Sequence, residues 1–209
     1  MQLKIYLFFF TCLLFLQVSA ASEQYLKDRI PPENKRYNSM VRVLELMQQR
    51  KAKILVETGT ARYGDANMLL DGGSSIIFAH WAKTHRAQFY SVDISPEAVM
   101  QARKVIKPYS LHAKVICSDS IAFLKNFKKP IDFLYLDSFD YDLGDPLPSQ
   151  THHLHEIRAV YNKLHSKSIV MIDDCDLPGG GKGKLAIAFL QSKGWKIVFE
   201  GYQVILIRS

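Results

Sequence analysis

Acidic residues stand at the ends of five apolar, strand-like runs in this chain of 209 residues. They are Glu57, Asp93, Asp119, Asp137 and the pair Asp173 and Asp174. A carboxylate at such a position can cap the next helix, accept hydrogen bonds from the hydroxyls of a ligand, or bind a cation. Three acidic tips on the first three runs are hard to explain by capping alone. The pattern predicts a ligand-binding edge.

A glycine turn follows the first of these runs. Residues 54–60 read Ile-Leu-Val-Glu-Thr-Gly-Thr, and a polar stretch then leads to Asp-Gly-Gly-Ser-Ser at 71–75. Glycine lets a backbone approach a ligand closely, and the amides at a helix start offer donors to a carboxylate. The segment therefore predicts a ligand site, with a tight turn that binds nothing as the alternative.

Apolar runs alternate with amphipathic segments, which is typical of βαβ units and a parallel sheet. The predicted strands are Lys53–Glu57, Gln88–Asp93, Ala113–Cys117, Ile131–Asp137, Ser168–Asp173, 196–200 and 204–207. The predicted helices are Ser74–Thr84, Pro96–Ile106, Ser120–Phe127, Thr151–Leu164 and Lys184–Ser192, the second capped by Ser95. Residues 21–52 are predicted to form an N-terminal helical layer, with Val41, Leu44 and Met47 on one face and Asn38 as a cap.

A short turn at Gly201 and Tyr202 joins the last two predicted strands, which must then be antiparallel neighbours. Five parallel strands closed by such a hairpin, with the glycine turn after the first strand, resemble the class I S-adenosylmethionine-dependent methyltransferases. The resemblance covers about residues 53–209. It implies one α/β domain with a Rossmann-like, seven-stranded, mostly parallel sheet and helices on both faces.

This resemblance implies S-adenosylmethionine as cofactor. Glu57 and Gly59 would lie near its amino acid portion, Ser74 or Ser75 near its carboxylate, and Asp119 near the adenine. Asp93 stands where a Rossmann-like site holds a ribose diol. The full set of predicted cofactor residues is Glu57, Gly59, Thr60, Ser74, Ser75, Asp93, Ile94, Asp119, Ser120 and Asp137. The chain departs from the family by a longer turn over residues 61–70.

The acidic residues after the fourth and fifth strands predict a metal site. In an open parallel sheet the two strand ends face the same crevice, so Asp137, Asp173 and Asp174 should converge. An all-oxygen set suits Mg²⁺, Mn²⁺ or Ca²⁺. The pattern is similar to that of metal-dependent O-methyltransferases, although many of these have Asp-Asn in place of Asp-Asp. A solvated acidic loop without an ion is the alternative.

Candidates for the catalytic base follow the fourth strand. Asp137 and Asp140 are predicted catalytic residues, Asp142 is a further candidate, and His152 or His153 could also take the proton. For the two histidines the sequence favours exposed positions at a helix start. Sugar O-methyltransferases place a histidine shortly after the fourth-strand Asp, and this chain has none there.

A glycine-rich segment, residues 178–184, lacks the Gly-Lys-Ser/Thr ending of a phosphate loop and follows the wrong strand for one. It is predicted to be a mobile loop over the acceptor. For Lys182 and Lys184 the sequence favours solvated positions over contacts with an acidic acceptor.

Length and composition, 48% hydrophobic and 22% charged, indicate one globular domain. The formal charge of +7 is compatible with an acidic partner, but the basic residues are scattered and give no specific signal for nucleic acid. Cys12, Cys117 and Cys175 show neither zinc nor disulfide spacing.

The first 20 residues resemble a secretory signal peptide. Lys4 precedes the apolar run 5–16, and small residues at 18–21 offer a cleavage site. A secreted or periplasmic protein is predicted; the alternatives are an uncleaved membrane anchor and a cytoplasmic protein that starts at Met40.

The prediction for function is a methyltransferase that modifies a hydroxyl of a small or sugar-like acceptor, with a divalent ion as a possible aid. An exported protein that kept the fold as a binding module is the main alternative, because S-adenosylmethionine is made in the cytosol. An NAD-dependent oxidoreductase is less favoured, since the first turn lacks Gly-x-Gly-x-x-Gly. The oligomeric state is left open.

Overall fold

The computed structural model describes residues 24–71 and 73–208. Its strands are β1 (Ile54–Thr58), β2 (Gln88–Asp93), β3 (Ala113–Cys117), β4 (Ile131–Leu136), β5 (Leu164–Ile172), β6 (Trp195–Phe199) and β7 (Val204–Arg208). The helices around them are α1 (Tyr37–Arg50), α2 (Met68–Asp71), α3 (Ser74–His85), α4 (Pro96–Ile106), α5 (Ser120–Asn126), α6 (Leu147–Val160) and α7 (Lys184–Ser192).

The strands form one sheet in the order β3-β2-β1-β4-β5-β7-β6. The first five strands are parallel, while β7 is antiparallel to both β5 and β6. The predicted fold class and the C-terminal hairpin are therefore confirmed. The strand order reverses between β2 and β4, on either side of β1, and ligands of open α/β sheets bind beside such a reversal.

Two apolar layers cover the sheet because side chains alternate along each strand. Leu55 and Phe133 face the layer that contains α1, α3 and α4, whereas the neighbouring residues Val56 and Leu134 face α5, α6 and α7. Both layers are buried, which explains why the central strands read as nearly continuous apolar runs. The sheet is thus a rigid support for the loops at its carboxyl edge.

Some element boundaries differ from those predicted. Helix α6 begins at Leu147, not at Thr151, because Pro148 fits the first helical turn. It ends at Val160, and Leu164, predicted as the last residue of this helix, is the first residue of β5. Asn38 lies inside α1, whose cap position is Arg36. Ser95 caps α4 as predicted, accepting a hydrogen bond from the Ala98 N–H at 3.2 Å.

The N-terminal layer packs on β5 and β7 through α1, with Leu44 and Met47 buried and Val41 half-buried. Within the described ranges, no helix combines the length and apolar character needed to cross a membrane. The predicted signal segment, residues 1–20, lies outside the described residues.

Candidate active site

A cavity of about 700 Å³ opens at the carboxyl ends of β1, β2, β4 and β5. Among the sequence-predicted residues it is lined by Gly59, Thr60, Ser74, Asp93, Asp137, Asp140, Asp173 and Asp174. It therefore lies beside the reversal in strand order, and it brings some of the predicted cofactor positions into one space with the carboxylates predicted to bind metal.

Glu57 lies behind the wall of this cavity, with only 1% of its surface exposed. Its carboxylate accepts hydrogen bonds from the hydroxyls of Ser75 at 2.6 Å, Ser91 at 2.7 Å, and Ser74. Burial raises the pKa of Glu57 to about 7, although the three hydroxyls favour its charged form. Glu57 thus fixes the first turn of α3 against β1 and β2, and it does not line the cavity.

Gly59 lies where the backbones of two strand ends approach each other closely. Its φ is +84°, and a Cβ added there would lie 2.4 Å from the carbonyl oxygen of Asp137. Its N–H donates to the Val92 carbonyl at 2.8 Å. The absence of a side chain therefore lets the ends of β1, β2 and β4 meet.

Asp93 lines the cavity at the end of β2, and one carboxylate oxygen accepts the Ser95 N–H at 2.8 Å. Four other predicted cofactor residues lie outside the cavity lining, and the first of them, Ser75, is buried against Glu57. Ile94 is 70% exposed, Asp119 caps α5 by accepting the Ala122 N–H at 2.7 Å, and the Ser120 hydroxyl lies 3.1 Å from Nε2 of His152.

Asp140 is paired with an arginine across the cavity. Arg62 donates two hydrogen bonds to its carboxylate, at 3.0 and 2.9 Å. The Arg62 guanidinium lowers the pKa of Asp140 below its ordinary value, chiefly through these hydrogen bonds. A carboxylate so stabilised in its charged form is a weaker proton acceptor.

The histidines lie away from the main cavity. His152 lines a separate depression of about 420 Å³, and its Nε2 lies 3.4 Å from a carboxylate oxygen of buried Glu156. His153 is buried, its Nδ1 lies 2.7 Å from the Ser149 carbonyl, and burial lowers its pKa to about 4. Neither ring lines the main cavity, and His153 is not the exposed helix-start residue that the sequence favoured.

Asp137, Asp173 and Asp174 converge, each offering an oxygen within 4.8 Å of the others. We call these three residues the carboxylate cluster. Two cationic side chains form ion pairs with the cluster. Arg36 Nη2 lies 3.0 Å from Asp173, and Lys182 Nζ lies 2.7 Å from Asp137 and 2.9 Å from Asp174.

The position of Lys182 differs from the solvated one expected for its loop. It is 2% exposed, whereas Lys184 is exposed as expected. Burial opposes its charge, but Asp137 and Asp174 raise the pKa of Lys182 above its ordinary value. In the sequence, the only indication of a role for Lys182 was its position in a glycine-rich segment after β5. No local pattern indicated that Arg36 would reach the cluster.

The cluster has the oxygen donors that a divalent ion prefers, but its present arrangement does not fit one. Ions of this type bind carboxylate oxygens at 2.0–2.6 Å. Lys182 already contacts two of the three carboxylates at hydrogen-bonding distance. An ion bound by the same oxygens would lie against the ammonium, and the two positive charges would repel each other.

The chain resembles a known family in sequence and known proteins in fold. Residues 70–175 match the family model described as a methyltransferase domain. No curated protein matches the chain in sequence. Among solved structures, the chain is similar to a candidate caffeoyl-CoA O-methyltransferase from Staphylococcus aureus, with 13% identity and a TM-score of 0.60 over 82% of this chain and 83% of that one.

Two further solved structures cover more of the chain. The methyltransferase PaMTH1 from Podospora anserina, solved with S-adenosylhomocysteine bound, has 15% identity and a TM-score of 0.59 over 92% of this chain and 88% of its own. A candidate O-methyltransferase from Klebsiella pneumoniae has 11% identity and a TM-score of 0.58 over 92% and 90%. Since the family model spans just over half of the chain, and the sheet has the order and hairpin described above, the chain belongs to the class I S-adenosylmethionine-dependent methyltransferases.

Proposed function

We propose that this protein transfers a methyl group from S-adenosylmethionine to a hydroxyl oxygen of a small acceptor. The observation that carries the proposal is the continuity of the cavity from Asp93, at the end of β2, to the carboxylate cluster. A dinucleotide-sized or nucleoside ligand has room in such a volume, and its reactive end can meet polar side chains. The O-methyltransferase assignments of two structural neighbours support the same reaction.

In this proposal the cofactor occupies the side of the cavity formed by β1 and β2. Asp93 has one carboxylate oxygen left to accept a hydrogen bond from the ribose. Gly59 and Thr60 line the same wall. Glu57 acts from behind by holding Ser74 and Ser75 in place.

The acceptor lies on the side formed by β4 and β5, against the carboxylate cluster. The transfer is a direct displacement in which the acceptor oxygen attacks the methyl carbon while the carbon–sulfur bond breaks. Holding the two reactants in line removes most of the entropic cost of their encounter. The acceptor proton leaves to a carboxylate, for which we propose Asp137, since it lies next to both the Gly59 turn and Lys182. Asp140 is a less suitable base because Arg62 stabilises its charged form, and His152 is less suitable because it lies outside the cavity.

Calorimetric titration with S-adenosylmethionine and S-adenosylhomocysteine tests the cofactor site. The wild-type protein should bind both. Asp93→Ala should bind them at least about tenfold more weakly, since it removes the carboxylate that accepts a hydrogen bond from the ribose. Asp142→Asn, an exposed change in the loop after β4, is the matched control and should bind as wild type. No binding by wild type at high micromolar ligand would refute the proposal.

Release of S-adenosylhomocysteine in the presence of a panel of small phenols, sugars and alcohols tests the reaction. Turnover with at least one hydroxyl acceptor, together with its methylated product by mass spectrometry, is the expected result. Tight cofactor binding without turnover on any class of acceptor would favour the alternative of a non-catalytic binding module.

We further propose that residues 1–20 direct export of the protein, on the basis of the apolar run behind Lys4. Fusion of residues 1–25 to a reporter tests this proposal. Export with cleavage supports a signal peptide, export without cleavage indicates a membrane anchor, and a reporter that stays in the cytosol contradicts both.

A further inference from the structure

The ammonium of Lys182 lies inside the carboxylate cluster and is anchored there by the loop that carries it. The backbone N–H of Lys182 donates to the backbone carbonyl of Asp174 at 3.0 Å. Gly181 has φ +58°, and a Cβ there would lie 2.0 Å from that same carbonyl oxygen. The side-chain amide of Gln150, on α6, donates to the carbonyls of Gly179 and Gly181 at 3.1 Å each.

These contacts set the position of the charge. A lysine on a mobile loop would gain little from a carboxylate in water. Lys182 is instead 2% exposed, and the loop contacts hold its Nζ between Asp137 and Asp174. Moving the Lys182 ammonium away would leave buried carboxylates without a compensating charge. This cost keeps the ammonium in its position.

The charge of the cluster explains the need for cations. Three carboxylates lie within 4.8 Å of one another, and their mutual repulsion in a buried setting is large. Arg36 compensates Asp173 from one side, and Lys182 compensates Asp137 and Asp174 from the other. A divalent ion held by the three carboxylates would supply the same two positive charges.

We propose that Lys182 takes the place of a divalent ion in this protein, and that its ammonium binds the acceptor oxygen during methyl transfer. The inference rests on the proposed function for the acceptor, while the exclusion of metal by Lys182 stands without it. An ammonium has three N–H donors, and two point at Asp137 and Asp174, so the third can donate to the acceptor. Lys182 lines the cavity from which the acceptor would arrive.

Methyl transfer needs no metal ion to balance its bonds and charges. The oxygen–carbon bond forms as the carbon–sulfur bond breaks, the sulfur keeps the electron pair and becomes a neutral thioether, and the acceptor proton passes to a carboxylate of the cluster. Lys182 stays protonated and stabilises the negative charge that develops on the oxygen. Since it offers one donor where an ion would offer several coordination positions, the acceptor class is a single hydroxyl rather than a pair of adjacent hydroxyls.

Mn²⁺ binding tests the exclusion of metal directly. Free Mn²⁺ is followed by electron paramagnetic resonance, and thermal unfolding is measured with and without Mn²⁺. Wild type and Lys184→Gln, the control in the same segment, should neither bind Mn²⁺ at the cluster nor gain thermal stability from it. Lys182→Gln should gain both, because it frees Asp137 and Asp174 beside Asp173, and the further change Asp173→Asn should weaken the new site.

Turnover and cofactor binding test the role toward the acceptor. The wild-type rate should be the same in EDTA and in Mg²⁺. Lys182→Gln should lose about 10²- to 10³-fold in kcat, as expected for loss of one donor to a developing oxyanion, while its affinity for S-adenosylmethionine and the activity of Lys184→Gln stay unchanged.

Two results would overturn the proposal: Mn²⁺ binding by wild type that Asp173→Asn abolishes, or a folded Lys182→Gln that gains no Mn²⁺ binding. If Lys182→Gln folds only with Mn²⁺ present, the ion has replaced the ammonium and the proposal is supported. If it folds under neither condition, the wild-type titration decides. A wild type that fails to bind S-adenosylmethionine refutes the proposed function alone, since the Mn²⁺ result is read independently.

Discussion

Arg62 and Asp140 form a two-point ion pair between the loop after β1 and the loop after β4, with hydrogen bonds of 3.0 and 2.9 Å. Both residues line the main cavity, so the pair links its two sides. Their side chains are 46% and 74% exposed, and ion pairs in water contribute little free energy. The contact can therefore open at small cost when a ligand enters or leaves.

Asp140→Asn and Arg62→Gln should have the same small effect. We expect each to weaken S-adenosylmethionine binding by up to about fivefold, which is within the 0–1 kcal/mol of an exposed pair. The double variant should be no worse than either single one. Calorimetry and kcat measurements check this. A loss of about 10²-fold or more in kcat for Asp140→Asn alone would instead identify Asp140 as the base.

Gly59→Ala should damage the site more than an alanine at another glycine with a similar positive φ. A Cβ at Gly59 meets the Asp137 backbone at 2.4 Å, whereas at Gly194, with φ +83°, it meets no atom within 4 Å. Gly194→Ala should cost about 1–2 kcal/mol, the strain of a left-handed residue alone. Gly59→Ala should cost more and also weaken cofactor binding. Urea unfolding and calorimetry measure both. Equal effects of the two variants would contradict the close approach of Gly59 to the Asp137 backbone.

Arg36→Met should destabilise the fold by about 3–5 kcal/mol, because it removes one partner of a buried ion pair. The Arg36 guanidinium bonds Asp173 at 3.0 Å, the Tyr202 hydroxyl at 3.1 Å and the Leu70 carbonyl at 2.7 Å. Arg42→Met, on the exposed face of α1, is the control and should have little effect.

Unfolding in urea measures both changes. Combining Arg36→Met with Asp173→Asn should recover part of the loss, since no uncompensated carboxylate then remains. If Arg36→Met and Arg42→Met were equally stable, the ion pair would contribute nothing to the fold.

Glu57 should make the free energy of unfolding depend on pH. Burial raises its pKa from 4.5 to about 7 in the folded protein. The folded state therefore holds this proton more tightly than the unfolded state, so the contribution is fully present below pH 4.5 and is lost as pH rises through 7. Between pH 4.5 and pH 8, wild type should lose about 3 kcal/mol relative to Glu57→Gln. Urea unfolding of both proteins across this range provides the measurement, and parallel pH profiles would show that Glu57 is not the group responsible.

Local patterns in the sequence were sufficient for most of the elements and for the sheet. Ser95 and Pro96 predicted the start of α4 correctly, because capping is a contact between residues three positions apart. The short Gly201-Tyr202 turn predicted that β6 and β7 pair, because so short a connection leaves no other geometry. The convergence of Asp137, Asp173 and Asp174 followed from one general property, that parallel strands end at one edge of a sheet.

The charges that complete the cluster were decided only by tertiary structure. Arg36 reaches Asp173 across 137 positions of the chain, and no local pattern marks either residue for the other. The sequence favoured a solvated Lys182 because glycine-rich segments are usually mobile, and only the contacts of its loop with Gln150 and Asp174 bury it. The sequence by itself determined the fold class and the positions of the carboxylates, since these depend on periodicity and on strand ends, and its resemblance to a known family implied the cofactor. Which cations neutralise those carboxylates depends on distances between segments far apart in the chain, and these exist only once the chain has folded.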